Sequence, residues 1–543
     1  MSEAAEYNRA GQIARSTIIV MASFAAAKAI SLLQTVIIAR AFGISAEYDA
    51  FVAANRLPEI IFNLIAGGAI AFAFIPVFTG FLAKNDTKTA WKVASHVANT
   101  VFLVTLIVSA VVFVLAPSLV STSIAPGFAP ETQAQTADMM RILLVGTILF
   151  SISGMITGIL QGYQRFLLPA LAPIMYDLGI LFGVLFLIRP FGIYGLALGA
   201  VLGAALHLII QLPGLFRVGV RWTPRFGWND KNFRAVLVLF LPRALDLALV
   251  SFSALVITNI LSRLGEGATS AYDWGWRIMQ IPETLIGTAM GIVIFPTLAA
   301  LSSLGDLDGK RSAFSGSIRF ILVLTIPSAM LLIASGRPLL GLLEGGAFDQ
   351  SATDLVYSAL LFFSIGIVVH SVLEIVARSF YADKDTLTPL IVAVGGATVN
   401  IGIALVFSGV LTGTASPESV GVLAFSNTLG VTFEVVAMFI ILRRRWGSVD
   451  ENHLAKTTVK TLAASLIMAL VVTALHAGFG VVGLSGTSFV QAVILVATEV
   501  IIGLLVFIGA AYLVQLGEVK IFITQSVQKL RSFLPHREAQ TAA

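Results

Sequence analysis

DAFVAANRLPEIIFNLIAGGAIAFAFIP, residues 49–76, sets charge beside a run of apolar and small residues. Asp49, Arg56 and Glu59 crowd its entrance, Ala66, Gly67, Gly68, Ala69 and Ala71 fill it, and Pro76 closes it. A purely structural span would carry more Leu and fewer charges at its mouth, because charge persists beside hydrocarbon only where water, a partner or a substrate meets it. The stretch has a second copy. Asp273 precedes Pro282-Glu283 by the interval that separates Asp49 from Pro58-Glu59, and each copy runs through a Gly/Ala-rich helix to a second proline, Pro76 or Pro296. The second copy is four residues shorter, about one helical turn, so the helix face is kept. Downstream, QGYQRFLLPALAP (161–173) and SFYADKDTLTP (379–389) occupy equivalent places. Two matches in the same order argue for a duplicated six-helix unit.

The rest of the chain fits that frame. Its 543 residues are 57% hydrophobic and 12% charged, with a mean hydropathy of +0.93, which excludes an ordinary soluble domain. A hydrocarbon core about 30 Å thick needs about 20 apolar residues per crossing, and runs of that length recur. Barrel strands would alternate polar and apolar, so the fold class is an all-α polytopic membrane protein. The chain has no cysteine, so disulfides, thiolate metal sites and cysteine nucleophiles are excluded. The apolar run that reaches Phe42 is too long for a cleaved signal peptide and reads as a retained first helix.

Fourteen helices are expected. Six lie near 17–42, 58–83, 91–116, 138–161, 169–188 and 193–214, six more near 235–263, 271–302, 316–336, 354–381, 387–409 and 418–442, and two near 457–478 and 487–515. Lys and Arg gather in alternate loops: Lys84, Lys88 and Lys92; Arg165; Arg217, Arg221, Arg225, Lys231 and Arg234; Lys310 and Arg311; Lys384; Arg443, Arg444 and Arg445. The net charge of +5 therefore reports topology rather than nucleic acid, and both termini are read as cytoplasmic. The division is an N-terminal lobe (1–216), a basic linker (217–234), a C-terminal lobe (235–444), two additional helices (445–515) and a tail (516–543). An even number of helices per copy relates the lobes by an axis along the membrane normal, with a central cavity between them.

No nucleotide-binding, dinucleotide or zinc motif is present, so no catalytic residue and no cofactor are assigned and the chain is not read as an enzyme. Ionisable groups inside helices are the better signal. Lys28 and Gln34 lie in the first helix, and Asp49 with Arg56 between the first and second. Asp273 and Arg277 share one helical face and read either as an ion pair near a helix end or as a substrate contact. Arg243 and Asp246 follow the kink expected at Pro242 and can neutralise each other. His370, Glu374 and Arg378 line one stripe, a polar surface or a proton path, with Arg378 able to snorkel to the interface. Asn400 and Glu434 are further polar groups in helices; with Asp246 they could form an oxygen-ligand site for a small cation.

IIARAFG (37–43), DAF (49–51), LPEII (57–61), APGF (125–128), RFLLPALAP (165–173), WRIMQIPETLIGTAMGIVIFPTL (276–298), GGAF (345–348) and FYADKDTLTP (380–389) together resemble the MurJ/MviN lipid II flippases of the multidrug/oligosaccharidyl-lipid/polysaccharide exporter superfamily. The resemblance implies a bacterial inner-membrane flippase that moves undecaprenyl-pyrophosphate-linked peptidoglycan precursor outward by alternating access. It also implies a cationic cavity between the lobes and a lipid groove formed with the last two helices. The family's arginines of the first two helices fall at Lys28, Gln34 and Phe62, where only Lys28 keeps charge, and Lys lacks the bidentate fork of Arg. The eighth-helix arginine is kept as Arg277 and the loop aspartate as Asp49, a gating or orienting residue. Either Arg56 and Arg243 rebuild the anion site or the substrate differs. The family's sodium site would fall at Asp246 and Asn400.

The substrate-binding set is therefore Lys28, Gln34, Asp49, Arg56, Arg243, Asp273 and Arg277. Asp246, His370, Glu374, Asn400 and Glu434 are the candidates for coupling to Na+ or H+. Partners are the lipid-linked saccharide precursor, membrane lipids and cell-wall synthesis proteins, with the chain a monomer. Two other readings compete: an exporter of another polyprenyl-linked saccharide or a cation-coupled drug exporter, and a membrane scaffold that transports nothing.

Overall fold

A computed structural model describes residues 30–66, 68–481 and 489–519. Lys28, the first helix before residue 30 and the tail beyond 519 lie outside them, as do the side chains of Arg243 and Asp246. The regular elements of the described residues are all helices, with no strand among them. In order come α1 (Ile30–Phe42), α2 (Ala46–Ile61), α3 (Gly68–Ala83), α4 (Thr87–Leu119), α5 (Pro130–Gly162), α6 (Leu167–Phe182), α7 (Ile188–Phe191), α8 (Tyr194–Ile209), α9 (Leu212–Arg217), α10 (Lys231–Ser262), α11 (Ala268–Glu283), α12 (Ala289–Leu304), α13 (Leu307–Gly341), α14 (Gln350–Ala382), α15 (Leu387–Phe407), α16 (Val420–Trp446), α17 (Glu451–Val481) and α18 (Phe489–Leu513). Among the described residues eleven segments are long and apolar enough to cross a membrane, and three shorter apolar pieces, Ile30–Phe42, Ala73–Ala83 and Leu247–Ser262, fall where the first, second and seventh helices are expected.

The opening stretch differs from its sequence reading. Helix is expected from about residue 58, yet α2 begins at Ala46, capped by Ser45, whose hydroxyl accepts from the Tyr48 N–H at 3.4 Å. Residues 46–57 lack an apolar run because Glu47, Asn55 and Arg56 interrupt it. Their other faces, Tyr48, Ala50, Val52, Ala53 and Ala54, are buried against protein. Asp49, Arg56 and Glu59 thus sit on a helix and not in a loop at its mouth.

The duplication extends to backbone detail. α2 passes into a π-helical turn, Phe62–Ala66, before α3, and α11 passes into a π-helical turn, Thr284–Thr288, before α12. Both turns follow the Pro-Glu pair. Proline supplies no N–H and crowds the preceding turn, and a π-turn absorbs such a disturbance without ending the helix. One constant interval then separates Pro76 from Pro296, Asn85 (φ 56°) from Gly305 (φ 70°) and Gln164 (φ 58°) from Lys384 (φ 62°). The left-handed turns recur at the same repeat positions.

By its internal contacts the chain forms two compact units. The first comprises Met1–Asp273, Leu343–Leu355 and Ile401–Val420. In it Phe74, Phe78, Trp91, Val97, Ile159 and Phe233 form a buried cluster between α3, α4, α5 and the start of α10. α6 and α8 approach backbone to backbone, with Gly179 against Gly203 and Gly183 against Gly199, the small-residue contact that lets helices associate in lipid. Two loops close the unit: Gly127 abuts the backbone of Ser262 and Arg263, and the Ala347 N–H donates to the Arg40 carbonyl at 2.8 Å. The second unit comprises Trp274–Leu342, Val356–Asn400 and Gly421–Ala543. Its main cluster joins Leu298, Phe314, Ile321, Ile375, Phe380, Met438 and Trp446. α17 and α18 pack on α13 through Val323, Ala464, Met468, Val472, Phe507 and Ala511.

Gly346 stands at φ 62°, with the Arg40 carbonyl where a Cβ would go. Gly346→Ala is therefore expected to cost about 1–2 kcal/mol from the backbone conformation alone, and more as the carbonyl is pushed aside. Thermal unfolding in detergent should show a lowered midpoint. Gly80→Ala, inside α3 with nothing within 4 Å of the added Cβ, should hold or raise the midpoint because Ala is the better helix former; a midpoint lowered equally in both variants would rule out the loop contact.

Candidate substrate site

α2 organises the polar groups of the first unit. Asp49 is 1% exposed, and its carboxylate is fully engaged: Oδ2 accepts from the Gly267 N–H at 2.7 Å, and Oδ1 accepts from the Ser270 N–H at 2.6 Å and the Ser270 hydroxyl at 2.5 Å. A buried carboxylate requires such donors, since an unpaired one would cost several kcal/mol. The donors belong to the second repeat, at the turn into α11, so the clasp joins helix entrances of both copies. Seven residues on, and so on the same face, Arg56 Nε donates to Thr258 Oγ1 of α10 at 3.0 Å. Its guanidinium lies 3.7 Å from Glu59, a long pair at a half-exposed carboxylate that contributes little stability.

Glu59 and Asn63 border two cavities. The larger, about 360 Å³, is lined by Asn55, Glu59, Phe62 and Asn63 from α2 and its π-turn, Thr147 and Phe150 from α5, Pro173 and Tyr176 from α6, and Ala200, Val201 and His207 from α8. Asn55, Glu59 and Asn63 follow one another at intervals of four and form its polar wall. An aromatic cluster also lines it: Phe150 stands 5.2 Å from Phe62, 5.1 Å from Tyr176 and 5.2 Å from His207, centroid to centroid. The smaller, about 90 Å³, lies between α2 and α10, lined by Arg56, Glu59, Ile60, Asn63, Val250, Ser251 and Ala254. Behind the aromatic wall Ser153 Oγ is 2.6 Å from His207 Nδ1 and accepts from Gln211 Nε2 at 2.8 Å, and Thr157 donates to Gln211 Oε1 at 2.8 Å.

The residues singled out in the sequence spread over several helices. Asp49 and Arg56 come together on α2; Gln34 is half-buried on α1, and Asp273 is buried on α11. Arg277, four residues further along α11, is exposed within the second unit. His370 Nε2 is 3.1 Å from Asn427 Oδ1, with its ring 5.5 Å from Trp276. Arg378 pairs with the Glu374 carboxylate and carbonyl, its guanidinium filling the space beside Gly291. Asn400 is buried and accepts from Ser426 Oγ at 2.9 Å. Glu434 lies over Gly396, one turn from Asn400, so both face the α15–α16 seam. Among the described residues no group of three or more His, Asp or Glu gathers as a metal site. The sequence reading passes over Asn55, Asn63, Phe150, Tyr176 and His207. His207 and Gln211, polar in an apolar helix, were the signal available.

The profile described as "Lipid II flippase MurJ" matches residues 38–515. The chain belongs to that family. A lipid II flippase MurJ of Burkholderia cenocepacia is 28% identical over 450 residues, covering 81% of this chain and 85% of the relative. A probable lipid II flippase MurJ of Rhizobium tropici is 27% identical over 488 residues, covering 88% and 90%. A solved MurJ in an inward closed conformation shares the fold with a TM-score of 0.75 at 21% identity, covering 91% of this chain and 98% of that one. A solved inward-facing multidrug resistance MATE family transporter of the MOP superfamily shares the fold with a TM-score of 0.66 at 15% identity, covering 78% of this chain and 95% of that one. Within the MurJ family this chain carries Phe62 in an aromatic wall.

Asp49→Asn turns one acceptor into a donor facing Gly267 or Ser270, which should cost about 1–3 kcal/mol for the unpaired buried group. Hydrogen exchange at the Gly267 and Ser270 amides should quicken by at least tenfold in Asp49→Asn and less in Ser270→Ala. Unchanged exchange would remove the clasp from the account.

Proposed function

We propose that the chain is a lipid II flippase of the bacterial inner membrane, moving undecaprenyl-pyrophosphate-linked peptidoglycan precursor to the outer leaflet by alternating access and leaving it chemically unchanged. The observation that carries the mechanism is the Asp49 clasp. A buried carboxylate bridging the α2 and α11 entrances holds one arrangement and can be traded for water when the entrances part. The loss is limited because every group released there finds hydrogen bonds in water. The π-turns that follow Pro58 and Pro282 are places where the helices can bend.

A pyrophosphate needs cations that arrive with its charge. Arg56, Arg277, Lys28 and Arg243 are proposed as those contacts, with Asp273 and Gln34 as polar neighbours and Asp49 as the gate. Arg56 is held by one hydrogen bond and one long ion pair, so little must be broken to redirect it. For coupling, the α15–α16 seam with Asn400 and Glu434, together with Asp246, is the reading for Na+, and His370 with Glu374 the reading for H+. The termini are taken as cytoplasmic from the distribution of Lys and Arg. The protein is taken to act as a monomer beside cell-wall synthesis proteins, without binding nucleic acid.

The aromatic wall of Phe62, Phe150 and Tyr176 favours a second reading, export of another polyprenyl-linked saccharide, since aromatic faces pack against sugar rings. Native mass spectrometry with lipid II and with other undecaprenyl-linked saccharides separates the two: preferential retention of lipid II is expected.

Expression in cells depleted of their own lipid II flippase should restore growth and precursor flipping. Arg56→Ala and Arg277→Ala should each lower flipping by about ten- to a hundredfold, as loss of a charge-assisted contact of about 1.5–3 kcal/mol implies. Flipping by either variant at the wild-type rate would withdraw that residue from the substrate site.

A further inference from the structure

The segment between α9 and α10, RVGVRWTPRFGWND (217–230), turns its side chains the unexpected way. Leu215, Val218 and Val220 pack inward on the α3–α4–α5 cluster, whereas Phe216, Trp222, Phe226 and Trp228 are 67%, 60%, 46% and 55% exposed. Large rings left in water in this number mark an interaction surface. Arg217, Arg221 and Arg225, interleaved with them, are exposed too.

The segment is fastened, not trailing. Asn99 of α4 donates to the carbonyls of Thr223 and Arg225, both at 2.8 Å, and accepts from Trp222 Nε1 at 2.8 Å. The Thr223 N–H donates to Ser95 Oγ at 3.1 Å, Lys92 pairs with Asp230 at 2.8 Å, and Gly227 abuts the His96 ring. α4 and its π-turn run 38 residues, Thr87–Ile124, about 57 Å at about 1.5 Å per residue. That exceeds a hydrocarbon core of about 30 Å, so one end projects. The projecting end is Thr87–Asn99, which carries Lys88, Lys92, His96 and Asn99. Lipid-facing residues begin with Phe102 and Leu106, 38% and 40% exposed. Ser95 and Asn99, to which the segment is tied, therefore stand at the headgroup level, where tryptophan and arginine both gain: the ring packs among glycerol and acyl carbons, and the guanidinium meets phosphate. Lys231 and Arg234 add positive charge nearby, and the acidic Asp230 is neutralised by Lys92.

We propose that residues 216–228 form a membrane-surface anchor, with Phe216, Trp222, Phe226 and Trp228 seated among headgroups and Arg217, Arg221 and Arg225 binding the anionic phospholipids of the cytoplasmic leaflet. The leaflet rests on the orientation proposed above; the depth does not. Because the segment joins one repeat to the next, the anchor fixes that connection at the bilayer surface.

The cysteine-free chain makes the test direct. Full-length Phe226→Cys carrying a spin label is placed in vesicles of phosphatidylcholine with and without phosphatidylglycerol. Collisions with oxygen and with a water-soluble nickel chelate give its depth. The label should sit at headgroup depth and become less mobile with phosphatidylglycerol. Arg217→Gln/Arg221→Gln/Arg225→Gln should lose that lipid dependence and retain several-fold less phosphatidylglycerol by native mass spectrometry, with an unchanged unfolding midpoint. A label open to the chelate in both vesicles, or undiminished phosphatidylglycerol on the triple variant, would overturn the anchor. A membrane-impermeant maleimide should label the unmodified Phe226→Cys chain in everted vesicles and not in intact cells; the reverse would overturn the leaflet and the orientation while the depth reading still decides the anchor.

Discussion

A carboxylate removed from water must be given as many donors as it left behind, and at Asp49 the chain supplies three from a single turn. Much else in the first unit follows from that requirement. Gly267 stands at φ 85° with its N–H turned to the carboxylate, and Ser270 offers a backbone and a side-chain donor from one residue. The Ala46 N–H, close to the start of α2, turns to Glu266 of the same segment at 3.1 Å. Arg56 extends the seam to Thr258 two helical turns further along the same face. The interaction is strong while dry and replaceable when wet, which is what a closure needs if it is to reopen.

In the proposed opening the helices bend at the π-turns. Pro58 removes the N–H that would bond to Ala54, and its own carbonyl is approached by the Thr147 hydroxyl at 3.5 Å, which also reaches the Leu143 carbonyl at 3.3 Å. The helix continues with a wider turn, Phe62–Ala66, which gives the end of α2 a soft point ahead of α3. The same device follows Pro282. The second copy is four residues shorter between its prolines and still keeps the device, and the left-handed turns downstream stay in register.

The architecture was largely legible because it rests on local quantities: apolar run length, basic loops, and a repeated Asp, Pro-Glu and Pro. The start of α2 was not, since Glu47, Asn55 and Arg56 conceal a helix whose other face is covered by protein. Convergence was not legible either. Phe62 reads as a missing arginine, and only the fold shows it beside Phe150, with Tyr176 and His207 completing the wall. Asp49 was legible as a charge at a helix entrance but not as a clasp, because Ser270 is an ordinary residue until the backbone brings it to 2.6 Å. Asn400 and Glu434 were legible singly, while Gly396 and Gly430, which let α15 and α16 approach closely enough to place them on one seam, look like any other glycines in apolar helices.

The central claim is that the entrance held by Asp49 must open for transport. A Cβ at Gly267 would stand 3.4 Å from Ile44 Cβ, close to the separation a disulfide spans, and 2.9 Å from the Ile44 carbonyl oxygen at φ 85°, a crowding that comparison of the reduced variant with wild type controls for; the sequence contains no cysteine to interfere. The decisive measurement is therefore the flipping rate of the Ile44→Cys/Gly267→Cys chain in proteoliposomes, before and after reduction. The account predicts no flipping while the bond is closed and recovery once it is reduced. Flipping at the same rate in the oxidised and reduced protein would contradict it.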